Sequence, residues 1–217
     1  MGDVGSEERR FALRGGVVCL DFVNTVGWRL ADPPKGEYLG SYADLLAWGS
    51  QAGVIGPEAK EALSRSAALD PEGARIALRR AIALREAVYG ALRAVISGRP
   101  AAEEDLSILN SELSRALGRA RLVELEGGSY GWSWDEEDGE GGPALDRPLW
   151  PVARSAADLL VASPSLSRVR MCAGEGCGWL FLDTSRNGRR IWCDSDDCGN
   201  RERVRRHLAR KKLASGS

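Results

Sequence analysis

The stretch that organises this chain lies near its end and reads CAGEGC at residues 172–177 and CDSDDCGNR at residues 193–201. It contains two Cys-x4-Cys pairs, separated by 15 residues, and so holds four of the chain's five cysteines. Two close pairs of this kind can place four thiolates at the corners of a tetrahedron, each sulfur about 2.3 Å from a central metal ion. The sequence therefore predicts a metal centre built from two short cysteine turns.

Zinc is the metal that this ligand set favours. Its predicted ligands are Cys172, Cys177, Cys193 and Cys198. Four soft thiolates fill a tetrahedral site, so we expect one Zn²⁺ ion in a structural role with no coordination position open to a substrate. Iron or an iron–sulfur cluster is the first alternative, and a disulfide pair is a more distant one because a reducing cytosol disfavours it.

A cytoplasmic location is the expectation from the sequence. Residues 1–16 carry several charges and lack the apolar segment of a secretion signal. No stretch approaches the roughly 18 uncharged apolar residues that a membrane-spanning helix requires. We therefore expect no membrane partner.

A basic helix is predicted directly after the fourth cysteine, over residues 201–212. We expect Asn200 to cap it, and Val204 and Leu208, one turn apart, to pack on the metal module. Twelve helical residues extend about 18 Å, long enough to lie along a groove of double-stranded DNA. His207 is expected on the helix surface rather than at the metal.

The candidate DNA contacts are basic residues of this helix and of the loop between the cysteine pairs. They are Arg186, Arg189, Arg190, Arg201, Arg203, Arg205, Arg206, Arg210, Lys211 and Lys212. From residue 165 onward the chain has 12 Lys and Arg against 6 Asp and Glu, whereas the preceding residues have 18 against 25. This asymmetry indicates a polyanion-binding end, although a solvated basic helix without a partner has the same composition.

The longest helix is predicted from Pro71 to Ile96. Proline suits a first turn, and glycine and proline at residues 98 and 100 suit a stop. One charged residue, Arg85, falls within its apolar seam. An unpaired charge there would cost several kcal/mol, so we expect a carboxylate or a ligand as its partner, unless the side chain reaches the edge of the seam.

The residues before this helix contain a second polar group of interest. The first residues from Val17 onward could form a strand. Read as a helix, the stretch instead places Cys19, Phe22, Val23, Val26 and Leu30 on one apolar stripe, with Cys19 as a buried structural thiol. Asp21, Asn24, Thr25 and Trp28 then share another face. Asp21, Asn24 and Thr25, together with Arg85, form a speculative effector-binding set.

The other segments follow from periodicity and from turn residues. The predictions are a Ser41-capped helix, helices over 58–68, 102–117 and 148–163, a β-hairpin over 121–134 around Gly127 and Gly128, a loop over 135–142, and a hinge at 163–165.

A family resemblance rests on the residues around the cysteines. The run CGWLFLDTSRN at 177–187, then Arg190, Trp192 and CGNR at 198–201, closely resembles the CGNR zinc finger over about residues 168–212. In that family the finger commonly follows an ABATE-type domain of putative stress-induced transcription regulators. LDFVNT at 20–25 looks like the opening motif of that domain, and Leu84-Arg85-Glu86 resembles its long-helix motif. The second likeness spans roughly residues 11–163.

One position departs from the family pattern. Asp194-Ser195 follows the third cysteine, where Ser-Met is more usual. The added negative charge is expected to weaken phosphate contacts locally without disturbing the metal ligands.

These observations predict an α+β protein with two parts. Residues 11–163 would form a mainly helical ABATE-like domain with a small β-hairpin, which binds an effector or partner. Residues 166–213 would form a small four-cysteine zinc module followed by the basic helix. The resemblance implies a transcription regulator whose zinc is structural and whose arginine-rich helix contacts DNA.

Two function classes other than a DNA-binding regulator are the alternatives. A basic helix beside a zinc module also serves RNA binding or protein–protein interaction. An enzyme is disfavoured, because the sequence has a single histidine and no phosphate-binding loop or nucleophile motif. A small-molecule effector and a homodimer are further expectations, since one small finger offers little DNA-binding surface.

Overall fold

The computed structural model describes residues 9–134 and 144–215, with side chains as far as residue 211. Within these ranges the N-terminal part is mostly helical with one hairpin, and the C-terminal part has a second hairpin, the four cysteines and a terminal helix. This is the predicted fold class. The predicted loop at 135–142 lies outside the described residues. In the described part of the chain, no helix combines the length and apolar character needed to cross a membrane.

Helix α4, Pro71–Ile96, is the longest helix and has the predicted bounds. The carboxylate of Asp70 accepts a hydrogen bond from the Gly73 N–H at 2.8 Å and so caps the first turn. Gly98 follows the last turn with φ of 67°, a left-handed conformation that glycine adopts readily. Local signals at both ends therefore determine this helix.

Four further N-terminal helices pack around α4. They are α2 (Tyr42–Gln51), α3 (Pro57–Leu69), α5 (Glu103–Arg119) and α6 (Leu149–Val161). Ser41 caps α2 as predicted, because its hydroxyl accepts a hydrogen bond from the Asp44 N–H. Trp48, Trp150 and Phe22 are the largest fully buried side chains of the shared core, and Cys19 is buried with them as predicted.

Helix α1, Val18–Val23, is much shorter than the predicted apolar stripe. The Thr25 hydroxyl donates to the Phe22 carbonyl at 2.7 Å, an alternative to helical hydrogen bonding that favours the end of the helix. The chain then enters a loop in which Val26 pairs with Glu37 as an isolated β-bridge. The predicted continuation of the helix beyond Val23 is therefore wrong, and Leu30 is largely exposed.

The first hairpin forms as predicted. Strand β1 (Arg121–Glu124) pairs antiparallel with β2 (Tyr130–Ser133), with Leu122 opposite Trp132. Gly127 and Gly128 both have positive φ in the connecting turn. The turn therefore requires a backbone conformation that glycine supplies at low cost.

The predicted hinge is instead the start of a short helix, α7 (Ser163–Leu166). Strands β3 (Val169–Met171) and β4 (Leu180–Leu182) then form a second antiparallel hairpin. Val169 and Leu180 are fully buried in the core that the N-terminal helices share. The cysteine-bearing region is therefore packed directly onto the helical part.

Helix α8, Cys198–Ser215, begins two residues before the predicted cap Asn200. The Asp194 carboxylate accepts hydrogen bonds from the backbone N–H groups of Asp196 and Asp197, and this polar turn leads into the helix. Val204 and Leu208 are about half exposed, at 50% and 54%. The prediction that they pack on the metal module is therefore wrong, because α8 extends away from it.

Candidate metal centre

The four predicted metal ligands converge at one point. The sulfur atoms of Cys172, Cys177, Cys193 and Cys198 all lie within 4.8 Å of one another, and all four side chains are buried. Measured Sγ–Sγ distances are 3.8 Å between Cys177 and Cys193 and 3.5 Å between Cys193 and Cys198. A tetrahedral ion with Zn–S bonds of 2.3 Å requires sulfur atoms about 3.8 Å apart. The cluster therefore has the size of a zinc site.

The first cysteine turn is shaped by backbone hydrogen bonds and glycine. The Cys177 N–H donates to the Gly174 carbonyl at 3.0 Å, and the Cys172 N–H donates to the Trp179 carbonyl at 2.8 Å. Gly176 and Gly178, on either side of the second ligand, both have φ of 70°. The turn thus holds both sulfur atoms at the same end of the β3–β4 hairpin.

The second cysteine turn leads directly into the basic helix. Cys193 precedes the Asp194 turn, and Cys198 is the first residue of α8. Gly199 lies against the Trp192 ring, where an added Cβ would come within 3.0 Å of a ring atom. A predicted ligand of the metal is therefore also the first residue of the helix. Asp194 has a structural role in this turn, because its carboxylate accepts two backbone hydrogen bonds.

Hydrogen bonds to sulfur support thiolate ligands. Cys172 Sγ accepts from the backbone N–H groups of Gly174 and Cys193, and Cys198 Sγ accepts from the Arg201 guanidinium at 3.0 Å. Hydrogen bonds from the thiols of Cys177 and Cys193, aided by these backbone groups, hold the pKa of Cys172 far below its usual range. Hydrogen bonds with neighbouring cysteines raise the pKa values of Cys177 and Cys193, and burial raises that of Cys198, so a bound zinc ion would have to displace the protons of these three thiols.

The donor set fits a structural zinc ion. Four cysteine sulfurs complete the tetrahedron, so bound Zn²⁺ would join the β3–β4 hairpin to α8 and leave no position for a substrate. Such binding contributes to the folding of small modules whose core is limited. Here the apolar support around the cysteines is Phe181, with Trp179 and Trp192 packed against it.

The loop after α1 packs on the first cysteine turn. The backbone N–H of Arg29 donates to the Cys177 carbonyl at 3.0 Å, and that of Leu30 donates to the Gly176 carbonyl at 3.1 Å. The Trp179 indole N–H donates to the Val26 carbonyl at 2.7 Å. An added Cβ at residue 178 would lie 2.7 Å from Leu30, so the close approach depends on glycine there. The docked loop thereby reaches the metal centre.

The speculative effector residues are only partly brought together. The Arg85 guanidinium lies 3.4 Å from the Thr25 hydroxyl and makes two hydrogen bonds of 2.7 Å to the Glu37 carboxylate. The Asn24 amide instead pairs with the Leu180 backbone, and Asp21 accepts from the Gly15 N–H. Arg85 therefore has a carboxylate partner, which is one of the alternatives that the sequence predicted. Effector binding by these residues stays a prediction.

Sequence reasoning missed three members of the charge network around Arg85. Glu37 lies 48 residues away in the loop, and no pattern connects it to α4. Glu86, beside Arg85 on α4, also accepts from the guanidinium of Arg29. That guanidinium lies over the Tyr89 ring, with its carbon 4.1 Å from the ring centroid. Only the adjacency of Glu86 could have been read from the sequence.

The predicted DNA-contact residues differ in how freely they project. Arg190 lies over the Phe181 ring and donates to the carbonyls of Trp192 and Cys193. Arg201 is held by Cys198 and by a 3.1 Å ion pair with Asp197. These two arginines therefore have structural roles at the cysteine turns.

The other basic residues lie on the exposed surface. On α8, Arg205 and Arg206 share the Glu202 carboxylate, and Arg203 donates to a backbone carbonyl. Arg186, Arg189, Arg210 and Lys211 are also exposed. Lys212 lies beyond the described side chains.

Comparison with protein families assigns both parts of the chain. A model named ABATE, described as a putative stress-induced transcription regulator, matches residues 16–163. A second model, the CGNR zinc finger, matches residues 168–211 and encloses all four cysteines. A search of individually curated proteins found no match.

Proposed function

Since the chain belongs to the ABATE family and carries a CGNR zinc finger with one four-cysteine zinc site, we propose that it is a zinc-dependent DNA-binding transcription regulator. Its N-terminal domain, residues 11–163, would receive an effector or partner signal. Residues 166–213 would bind DNA. Neither matched family is a family of enzymes.

The observation that carries this proposal is the double role of Cys198. It is a ligand of the four-cysteine cluster and the first residue of α8. The helix has 18 residues and so extends about 27 Å from the metal centre. Bound zinc would thus hold the N-terminal end of an exposed basic helix, whose size suits a DNA groove.

The charge on α8 favours a polyanion as its partner. Arg203, Arg205, Arg206 and Arg210 are exposed, and Glu202 is the single acidic residue of the helix. Lys211 is exposed near the far end. We propose that these residues contact DNA, because exposed arginines can bind phosphates and also guanine edges.

The loop between the two cysteine turns adds a second basic surface. Asp183 is fully buried and accepts hydrogen bonds from the backbone N–H groups of Ser185 and Arg190. The ordered loop presents Arg186 and Arg189 to solvent. In the part of the chain that the structure describes, neither arginine forms an ion pair with a carboxylate. We propose that both contact phosphates beside the groove occupied by α8.

Selection of bound sites from random duplex DNA by the full chain tests the proposal. We expect enrichment of a defined sequence, with loss of enrichment after a chelator removes zinc. Binding to one selected duplex should weaken steeply between 50 and 200 mM salt, as phosphate contacts require. Enrichment that survives zinc removal would overturn the role given to the metal. Tighter binding to structured RNA than to any selected duplex would favour an RNA-binding module instead.

A further inference from the structure

A cavity of about 330 Å³ lies between the loop after α1 and the cysteine turns. Both parts of the chain line it, because Trp28 and Tyr38 come from the loop while Trp179 and three of the zinc ligands come from the finger. It has the volume of a small-molecule site and lies where the two parts meet.

The aromatic walls of the cavity are held in place by the backbone. Trp28 has φ of 50°, and among the described residues it is the single non-glycine residue with positive φ. Trp28 is 40% exposed, although its loop is docked on the cysteine turn. An added Cβ at residue 27 would lie 2.3 Å from the Tyr38 hydroxyl, so that approach requires glycine. The strained residue and the close packing indicate a fixed aromatic surface.

The charge around the cavity is negative once zinc is bound. Arg14 pairs with Asp194 at 2.9 Å, and Arg201 pairs with Asp197 at 3.1 Å, so these four charges cancel. A Zn²⁺ ion with four thiolates carries a net charge of −2, and three of those sulfurs belong to residues that line the cavity. A bound metal centre is often the largest local charge. The cavity should therefore attract cations and repel anions.

The rings of the cavity already hold cations from the chain itself. The guanidinium carbon of Arg201 lies 4.5 Å from the Trp28 ring centroid, and that of Arg9 lies 5.6 Å from the Tyr38 ring centroid. Aromatic faces attract ammonium and guanidinium groups, and cages of such rings bind quaternary ammonium ligands. The internal contacts show that these two rings are oriented to accept positive charge.

We propose that this cavity binds an organic cation of the quaternary ammonium class with an attached apolar group. The cation competes with the Arg201 guanidinium for the face of Trp28. The binding step rests on the cavity, its aromatic rings and the charge of the zinc-bound cysteines, whereas its consequence for DNA rests on the function proposed above.

Displacement of Arg201 connects the cavity to the basic helix. Arg201 lies in the first turn of α8 and donates to the sulfur of Cys198. A cation on Trp28 would release the guanidinium from the ring and change the first turn of the helix. The same ligand would therefore be an effector that alters the affinity of α8 for DNA.

Calorimetric titration of the zinc-loaded full chain tests the binding step. Benzyltrimethylammonium is the cationic probe and benzoate the anionic one. Choline and its neutral isostere 3,3-dimethylbutan-1-ol form a pair that differs in charge. We expect saturable binding of benzyltrimethylammonium, at least about tenfold weaker binding of the neutral isostere than of choline, and no binding of benzoate. Equal binding of choline and its neutral isostere, or tighter binding of benzoate than of benzyltrimethylammonium, would overturn the cation assignment.

Three variants test whether the probe binds in this cavity. The zinc content of each variant is measured to check that the zinc finger is intact. Trp28→Asn removes the ring and suits a left-handed backbone, so affinity for benzyltrimethylammonium should fall at least tenfold. Trp132→Asn is the matched control, because Trp132 is similarly exposed and also lies against an arginine, Arg154, but does not line the cavity. It should bind normally. Arg201→Gln vacates the Trp28 ring and should bind the probe more tightly, and weaker binding would refute the competition.

A DNA titration with and without the probe separates the two proposals. If the cation binds and shifts DNA affinity in the wild-type chain but not in Trp28→Asn, the cavity assignment and its coupling to α8 are both supported. If the cation binds and DNA affinity does not change, the site stands and its coupling to α8 is refuted. If no duplex is bound under any condition while the probe binds, the DNA-binding function fails and the cavity assignment remains.

Discussion

The side-chain amide of Asn24 pairs with the backbone of Leu180 as a neighbouring strand would. Its Nδ2 donates to the Leu180 carbonyl at 2.8 Å, and its Oδ1 accepts from the Leu180 N–H at 2.9 Å. Both residues are buried. One residue of the ABATE opening motif thereby satisfies both backbone groups of a zinc-finger strand, 156 residues further along the chain.

Asn24→Ala should destabilise the whole chain by about 3 kcal/mol. It removes two buried hydrogen bonds and leaves the N–H and carbonyl of Leu180 without partners, and each such loss costs about 1–3 kcal/mol. Urea unfolding at neutral pH measures the change. Asn110→Ala, on the exposed face of α5, is the control and should alter stability by less than about 0.5 kcal/mol. A variant that unfolds like the wild type would show that the two parts do not support each other through this contact.

Long α4 and the cysteine cluster were predictable because their determinants are local or chemical. Pro71 and Gly98 mark the helix ends through backbone conformation alone, and thiolate chemistry identifies the zinc ligands wherever the chain places them. In contrast, no local sequence pattern predicts that Asn24 pairs with Leu180 or that Glu37 pairs with Arg85. Such pairs depend on how distant segments pack.

The wrong predictions about the basic helix have a similar cause. The predicted cap at Asn200 came from residue preference, whereas the Asp194 turn and the metal ligand Cys198 start the helix earlier. Val204 and Leu208 have the spacing of a packed face, but α8 extends away from the module and leaves them exposed. Periodicity identifies an apolar pair and cannot tell whether another element covers it.

Arg85→Ala should destabilise the N-terminal domain by roughly 3 kcal/mol. Its side chain is 3% exposed and pairs with two carboxylates. Its loss leaves a buried space and removes the cationic partner of Glu37, while Glu86 keeps its ion pair with Arg29. Glu37 and Glu86 are nearly half exposed, which allows water to offset part of the cost. Thermal and urea unfolding measure the effect. Normal stability with lost effector response would instead identify Arg85 as a ligand-binding residue.

Glu37→Gln should have a pH-dependent effect on stability. Burial alone would raise the pKa of Glu37, but hydrogen bonds from Arg85 outweigh burial and hold the pKa below its ordinary value of 4.5. The ionised carboxylate therefore stabilises the folded state above pH 4.5, and this contribution is lost as pH falls through the lowered pKa. The variant should be less stable than the wild type at pH 7, by about 1 kcal/mol or less. The difference should shrink below pH 4.5.

Comparison of the two proteins at each pH in the same buffer checks this prediction. Zinc loss in acid affects both proteins and cancels in the difference. A difference that stays constant from pH 7 to pH 3.5 would show that Glu37 stabilises the fold through packing and not through its charge.

Cys198→Ser should abolish stable zinc binding and release the N-terminal end of α8 from the metal centre. Loss of one of four ligands opens the tetrahedron, so bound zinc should fall from one ion per chain towards none. Metal analysis and far-ultraviolet circular dichroism measure zinc content and helicity. Cys19→Ala is the matched control, because Cys19 is buried in the core of the N-terminal helices and is not a member of the four-cysteine cluster. Loss of zinc in the control, or retention in Cys198→Ser, would contradict the ligand assignment.

Arg186→Ala combined with Arg189→Ala should weaken DNA binding without destabilising the chain. Both side chains are exposed, and if each contacts one phosphate, the slope of log affinity against log salt should decrease in magnitude by about 1.8. Fluorescence anisotropy with one selected duplex over a salt series measures the slope. Arg190→Ala is the contrasting variant, because Arg190 holds backbone carbonyls of the second cysteine turn and should lower stability and zinc retention. An unchanged slope in the double variant would show that the loop does not face the phosphates and that α8 alone meets the DNA.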